Sequence, residues 1–352
     1  MKEQIATKES MYVEKMHGFE EVSKELSDRY GCDFLYGDIE TLTGEGIPKE
    51  TEIVGIVKGP RTKLDAQILE RIANIAPNPV IGYIGRHPEK ILGEDVEYRK
   101  KKADGEEILL VRVGNKEIFL VSMDSSPLSE AVAAYVLNVV DAIRRGRKED
   151  IEYLTIEGGN NFEKRNGHSF AMEPTDFDFG DVMLGVVGMG DVGSKVADVF
   201  RRNGASVLYT DISGRPKHLD QSIKRAPGSE AILQRPSGAK GTYVVSLNLP
   251  GGTLVSLADA EGIDILVNTG SGSNINEEEL MRAINEGRIK HAILDVFKHE
   301  TGGFSNDKMS KHIADDRLTL TPHIAYNHPE AIHKTLQTAV DNIMRVRNKS
   351  ED

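Results

Sequence analysis

The run Gly188-Met189-Gly190-Asp191-Val192-Gly193 follows directly on the apolar stretch Met183 to Val187 and opens a helix-patterned segment that Gly204 closes. In a strand, turn and helix of this kind each glycine has a task. The first permits a tight turn, the second lets backbone amides approach a pyrophosphate, and the third lets helix and strand pack closely. Packing alone can account for the bare pattern, but here the next apolar stretch, Ser206 to Thr210, ends in Asp211, an acid placed to hydrogen-bond an adenosine ribose. The turn and Asp211 together predict a dinucleotide site. Asp211 favours NAD, because a 2′-phosphate beside a carboxylate is repelled; Arg215 and Lys217 follow closely enough to leave NADP open. Asp191 adds a negative side chain beside the phosphate site, where it either weakens binding or turns outward at the positive helix end.

The later apolar stretches end in Asn248-Leu249-Pro250, Asn268-Thr269-Gly270-Ser271-Gly272, Asp295-Val296-Phe297-Lys298-His299-Glu300 and Thr321-Pro322-His323. An open parallel sheet binds ligands outside the carboxyl ends of its strands, so the remaining chemistry belongs at these positions. Asn248, Pro250 and Thr269 are read as lining the cofactor. His323 taken alone is a strand-end surface residue.

The glycine turn, Leu294 to Glu300 and Thr321-Pro322-His323-Ile324-Ala325, in this order, resemble the D-isomer-specific 2-hydroxyacid dehydrogenase family, and the likeness runs from about Thr51 onward. The resemblance implies that His323 is the general acid/base for a substrate oxygen and that Glu300 orients its imidazole and stabilises the protonated form. It implies that Asp295 holds the nicotinamide carboxamide. It also implies an arginine that grips a substrate carboxylate, within a motif of the form N-x-x-R-G. Here Ser271 stands at that position. A hydroxyl donates one neutral hydrogen bond and cannot neutralise a carboxylate, so an atypical mode of substrate recognition is expected. Arg86, in Gly85-Arg86-His87-Pro88, is a candidate for the missing charge, although an exposed strand-end arginine is the plainer reading; Lys58 and Arg61 are weaker candidates.

The elements that must position these residues are legible as alternating short strands and helices. In the first part a helix is expected over Phe19 to Tyr30, a strand over Glu52 to Val57, a helix over Leu64 to Ile75 and a strand over Val80 to Ile84. Strands Ile108 to Val113 and Glu117 to Met123 flank a hairpin turn at Gly114-Asn115. Ser129 to Arg145 reads as a helix apolar on more than one face, suited to burial between domains or subunits, and in the resembling family such a helix takes part in dimer formation. Glu157 to Asp181 lacks periodicity and reads as a connection. Strands are expected at Tyr243 to Leu247, Ile263 to Val267, Ala292 to Val296 and Leu318 to Leu320, with helices over Asn276 to Asn285 and Pro329 to Arg347.

This is an α/β pattern of two Rossmann-like domains: a dinucleotide-binding domain over residues 127–323 with a doubly wound parallel sheet, and a smaller flavodoxin-like substrate domain over 1–126, completed by 324–352. The formal net charge of -12 disfavours nucleic acid and anionic membranes as partners, and the basic run Arg99 to Lys102 is too short to reverse that. One cysteine, Cys32, excludes an internal disulfide, fits a reducing cytoplasm, and comes without zinc-type ligand spacing, so no metal is expected. No stretch reaches the roughly 18 continuous apolar residues of a membrane span. The leading reading is an NAD-dependent oxidoreductase acting on a small hydroxy or oxo substrate, a cytoplasmic homodimer. The alternative is a noncatalytic NAD(H)-binding regulatory protein on the same fold.

Overall fold

A computed structural model of the chain describes residues 8–14, 26–30, 32–39, 42, 47, 51–58, 63–76, 79–84, 91–103, 106–151, 177–212, 219–298 and 315–350. The chain divides into two compact units, Met1–Pro127 with Pro329–Asp352, and Leu128–His328.

The first unit holds a seven-stranded sheet built from β1 (Lys8–Glu14), β2 (Asp33–Gly37), β3 (Thr51–Lys58), β4 (Val80–Ile84), β5 (Tyr98–Ala103), β6 (Glu106–Val113) and β7 (Lys116–Met123), in the order β2-β1-β3-β4-β7-β6-β5. The first five strands of that order are parallel, as in a flavodoxin-like layer, and β6 and β5 fold back antiparallel on β7. Helix α1 (Ala66–Ile75) begins at Asp65, whose carboxylate accepts from the Ile68 amide at 2.8 Å, and it buries Ile68, Leu69, Ile72 and Ala73. That spacing puts one apolar stripe against the sheet core around Ile56, Leu109 and Leu120. The basic run falls on β5, an edge strand with Arg99, Lys100 and Lys101 exposed. Charge on an edge deters pairing with other chains. Strands β1 and β2 were not expected, and of the helix expected over Phe19 to Tyr30 only residues 26–30, which are helical, lie among the described residues.

The second unit opens with α2 (Ser126–Arg144), on which every residue from Ala131 to Leu137 is buried within this one chain. Its seven strands are β8 (Val182–Val187), β9 (Ser206–Thr210), β10 (Lys224–Arg225), β11 (Thr242–Leu247), β12 (Ile263–Asn268), β13 (Ile289–Leu294) and β14 (Leu318–Leu320). They run in the order β10-β9-β8-β11-β12-β13-β14, and every pairing is parallel. Helices α3 (Asp191–Arg202), α4 (Ser229–Ile232) and α5 (Glu277–Asn285) connect them, and α6 (Pro329–Ser350) returns to the first unit, where it packs on β3, β4 and β7. Strands with both faces covered read as near-continuous apolar runs, and β11 and β12 do so.

The strand order reverses between β8 and β11, and the register there matters most. Val187 pairs with Thr210 and with Leu247, Leu247 with Asn268, Asn268 with Leu294, and Leu294 with Leu320. Six strands therefore end flush. The residues one step beyond, Asp211, Gly188, Asn248, Thr269, Asp295 and Thr321, line one edge of the sheet. β13 starts and stops earlier than expected, which puts Asp295 just past the strand, in this row.

Candidate active site

Gly188 has φ 91°, and a Cβ there would lie 2.7 Å from the Asn248 carbonyl; a Cβ on Gly193 would lie 1.9 Å from the Gly188 carbonyl. Both positions require glycine, the first by backbone conformation and contact, the third by close helix packing. Gly190 differs: a Cβ there meets nothing within 4 Å, so the space before the N-terminus of α3 is open. This is the concavity a pyrophosphate needs, with helix amides facing it. Asp191 is the first residue of α3, an acid at the positive helix end. Asp211 binds back to the turn, its Oδ2 accepting from the Met189 amide at 2.6 Å, while Arg225 donates to its backbone carbonyl at 2.8 Å. The next residue, Ile212, is fully exposed, an apolar surface beside the acid that had not been singled out.

Two buried asparagines hold the neighbouring loops. Asn268 donates to the Ser271 carbonyl at 2.9 Å, and Gly270 donates to the Asn268 amide oxygen at 3.2 Å. Asn274 accepts from the Ser271 amide at 2.6 Å and donates to the carbonyls of Pro250 and Thr253, at 2.9 and 2.7 Å. An amide side chain is suited to this, because it donates and accepts at once. Thr269 donates to the Asn248 side chain at 3.2 Å, which ties the ends of β11 and β12 together. Ser271 caps the short 3-10 turn Gly272–Asn274; its hydroxyl oxygen accepts from the Ser273 amide at 3.3 Å and lies 3.0 Å from the Ser273 hydroxyl. Its side chain is thus engaged in holding the loop.

At the far end of the row, Asp295 is 1% exposed and organises the loop that carries His323. Its Oδ1 accepts from the Thr321 hydroxyl at 2.6 Å and the Ile324 amide at 2.8 Å, and its Oδ2 accepts from the Ala325 amide at 3.0 Å. Burial pushes the Asp295 carboxyl above its usual range, opposed by a protonated His323 and by these three donors. His323 lies between the clipped residues with φ 56°, and its amide donates to the Thr321 carbonyl at 3.0 Å. Left-handed backbone at a non-glycine residue carries strain of order 1 kcal/mol and persists where surrounding contacts over-determine it. Here they do. Its flanking residues are buried while the imidazole is half-buried, its ring edge-on to Tyr326 at 5.9 Å between centroids, so a titratable group stands at the surface of an otherwise buried loop.

A model of the D-isomer specific 2-hydroxyacid dehydrogenase NAD binding domain matches residues 253–325, the segment containing Thr269, Ser271, Asp295 and His323. Over these residues the chain is similar to the D-isomer-specific 2-hydroxyacid dehydrogenase family. A D-lactate dehydrogenase of Staphylococcus aureus is 27% identical over 186 residues, 48% of this chain and 54% of that protein. An erythronate-4-phosphate dehydrogenase of Bacteroides thetaiotaomicron is 28% identical over 170 residues, 47% of this chain and 46% of that protein. The chain thus spans about half the length of the curated relatives it matches. Among solved structures, D-lactate dehydrogenase with NAD+ from Lactobacillus jensenii aligns with a TM-score of 0.64 at 17% identity, over 97% of both chains. The NAD-complexed D-isomer specific 2-hydroxyacid dehydrogenase of Lactobacillus delbrueckii ssp. bulgaricus aligns at 0.62 and 14%, over 96% of this chain and 97% of that one. These likenesses show the fold.

The predicted cofactor residues Gly188 to Gly193, Asp211, Asn248, Thr269 and Asp295 lie together at one sheet edge, with Pro250 in the loop after β11. Glu300 and Arg86 lie outside the described residues, as do Arg61, His87, His168, Arg215, Lys217 and His299. Lys58 is fully buried at the end of β3. Asn268, Asn274 and Thr321 were missed as site builders. Their polar character at the ends of apolar strands was the available signal, since a buried polar group needs partners. Among the described residues no group of three or more His, Cys, Asp or Glu could hold a metal ion, and no helix is long and apolar enough to cross a membrane.

Proposed function

We propose that the protein is an NAD-dependent oxidoreductase acting on a small hydroxy or oxo substrate, with His323 as acid/base. The observation that carries this is His323 held at a strained, half-exposed position beside a buried carboxylate, on the same sheet edge as a turn shaped for a dinucleotide. The amides at the start of α3 hold the pyrophosphate, Asp211 receives the ribose hydroxyls in preference to a 2′-phosphate, and Ile212 offers apolar surface to adenine. Asn248, Pro250, Thr269 and Asp295 border the nicotinamide. When bound, the nicotinamide gives a hydride to the substrate carbonyl carbon or takes one from the alcohol. His323 donates a proton to the oxygen in the reductive direction and removes it in the other. Glu300 orients the imidazole. The first unit supplies the substrate domain, with Arg86 as the cation that Ser271 does not provide.

Steady-state oxidation of NADH tests this with pyruvate, 2-oxoisocaproate and a set of aldehydes and ketones lacking a carboxylate. Turnover of at least one is expected, and Ser271→Arg should raise kcat/KM for pyruvate about tenfold or more by adding a charge-assisted pair. NADH binding without turnover of any member contradicts the proposal. That result would favour the second reading, a noncatalytic NAD(H)-responsive regulator, which the engagement of the Ser271 side chain in a loop cap favours. The proposed setting is a cytoplasmic homodimer, supported by the family resemblance and, for the compartment, by the single, buried Cys32. Sedimentation at micromolar concentration checks the assembly.

A further inference from the structure

We propose that Tyr135 is a positioning residue for His323, acting through Thr321 and Asp295; the inference rests on the reading of His323 as acid/base. Tyr135 stands mid-way along α2 and is fully buried. Its hydroxyl lies 2.7 Å from the Thr321 hydroxyl, itself fully buried, which lies 2.6 Å from Asp295 Oδ1. The donors and acceptors in the chain fix the order of donation. An ionised carboxylate only accepts, and Asp295 already accepts from two backbone amides as well. The single Thr321 proton therefore goes to Asp295, and the Thr321 oxygen accepts from Tyr135. A polar chain thus runs from a buried helix to the carboxylate that holds the Thr321 hydroxyl before His323 and the Ile324 and Ala325 amides after it.

Packing alone does not call for that hydroxyl, because phenylalanine fills the same space. Among the described residues the titratable groups facing Asp295 are His323 and Tyr135. With Tyr135 donating, Thr321 is held in the orientation that serves the carboxylate, which in turn holds the loop that carries His323. Without it, the buried Thr321 oxygen loses a donor, its hydroxyl is freed to turn from Asp295, and the carboxylate holds the loop at His323 less firmly.

Tyr135→Phe, Thr321→Val and Thr321→Ser separate this role from packing. In the full chain, Tyr135→Phe and Thr321→Val should each lower kcat for the best substrate about tenfold with KM for NADH within about twofold, and the double variant should be no worse than Thr321→Val alone. Thr321→Ser, which keeps the hydroxyl, should retain activity. In the substrate-free protein the NMR titration midpoint of His323, identified by its loss in His323→Gln, should shift by about half a pH unit or more in Tyr135→Phe and Thr321→Val. Unchanged kcat and an unchanged midpoint in both variants overturn the proposal. Should the wild type turn over none of the compounds, the functional reading fails on its own, and the His323 titration still decides the relay. Should Tyr135→Phe not fold, the contrast between Thr321→Val and Thr321→Ser decides it.

Discussion

His323 and His291 show how differently two histidines are used. His323 stands at the surface of its loop, while His291 is buried on β13, with Nδ1 3.0 Å from the Asp316 carbonyl and Nε2 2.8 Å from the Thr319 hydroxyl. The carbonyl can only accept, so Nδ1 carries the proton and Nε2 accepts from Thr319. Burial, and secondarily Lys148, which pairs with Asp316, lowers the His291 pKa to about 3. The ordinary value is about 6.5, so below it the unfolded chain binds a proton that the folded chain refuses. Stability from this residue is full above that pH and is lost as pH falls toward the folded value. Urea unfolding at pH 7 and pH 5 should show it, and His291→Gln should flatten the dependence by about 1.4 kcal/mol per pH unit. Sequence alone cannot separate the two histidines, because what distinguishes them is the backbone around each. His323 was singled out by its neighbours in sequence, and His291 was passed over.

At the scale of elements, the flush strand ends turn six dispersed positions into one row. The glycine turn was legible because each glycine answers a local steric demand, and the structure returns those demands at Gly188 and Gly193. Gly193→Ala should therefore disrupt the turn and weaken NADH binding about tenfold or more, measured by fluorescence titration, without global unfolding. Strands β8, β9, β11, β12 and β14 were legible as apolar runs, and β13 was misplaced because Ala292 to Val296 continues the apolar pattern into the loop. β1 and β2 escaped because their apolar cores are only three residues long between polar ends. The loop network of Asn268 and Asn274 is a long-range arrangement with no local signature. Asn274→Ala, removing a buried partner from the Ser271, Pro250 and Thr253 backbones, should lower stability by roughly 2 kcal/mol in urea unfolding. In the last turn of α2, the 1% exposed Asp141 pairs with Arg144, Arg145 and Arg147, and Arg144 reaches Asp181 ahead of β8. Asp141→Ala should cost about 3 kcal/mol, because three cations lose a buried partner.

At the scale of the molecule, a chain whose residues 253–325 match the family's NAD binding domain carries serine where the resemblance implies arginine. The turn, Asp211 and the buried Asp295 clip support the proposed nicotinamide reaction, and on that proposal the change at Ser271 bears on substrate capture. The central claim is hydride transfer assisted by His323. Its most direct test is a single turnover of NADH carrying deuterium at C4 of the nicotinamide, run separately with each 4R and 4S isotopomer and the best substrate of the panel. The account predicts deuterium on the former carbonyl carbon of the alcohol product from one isotopomer, with the rate falling about a hundredfold or more in His323→Ala while NADH still binds. NADH bound by the wild type, with no deuterium reaching any product from either isotopomer, would contradict it.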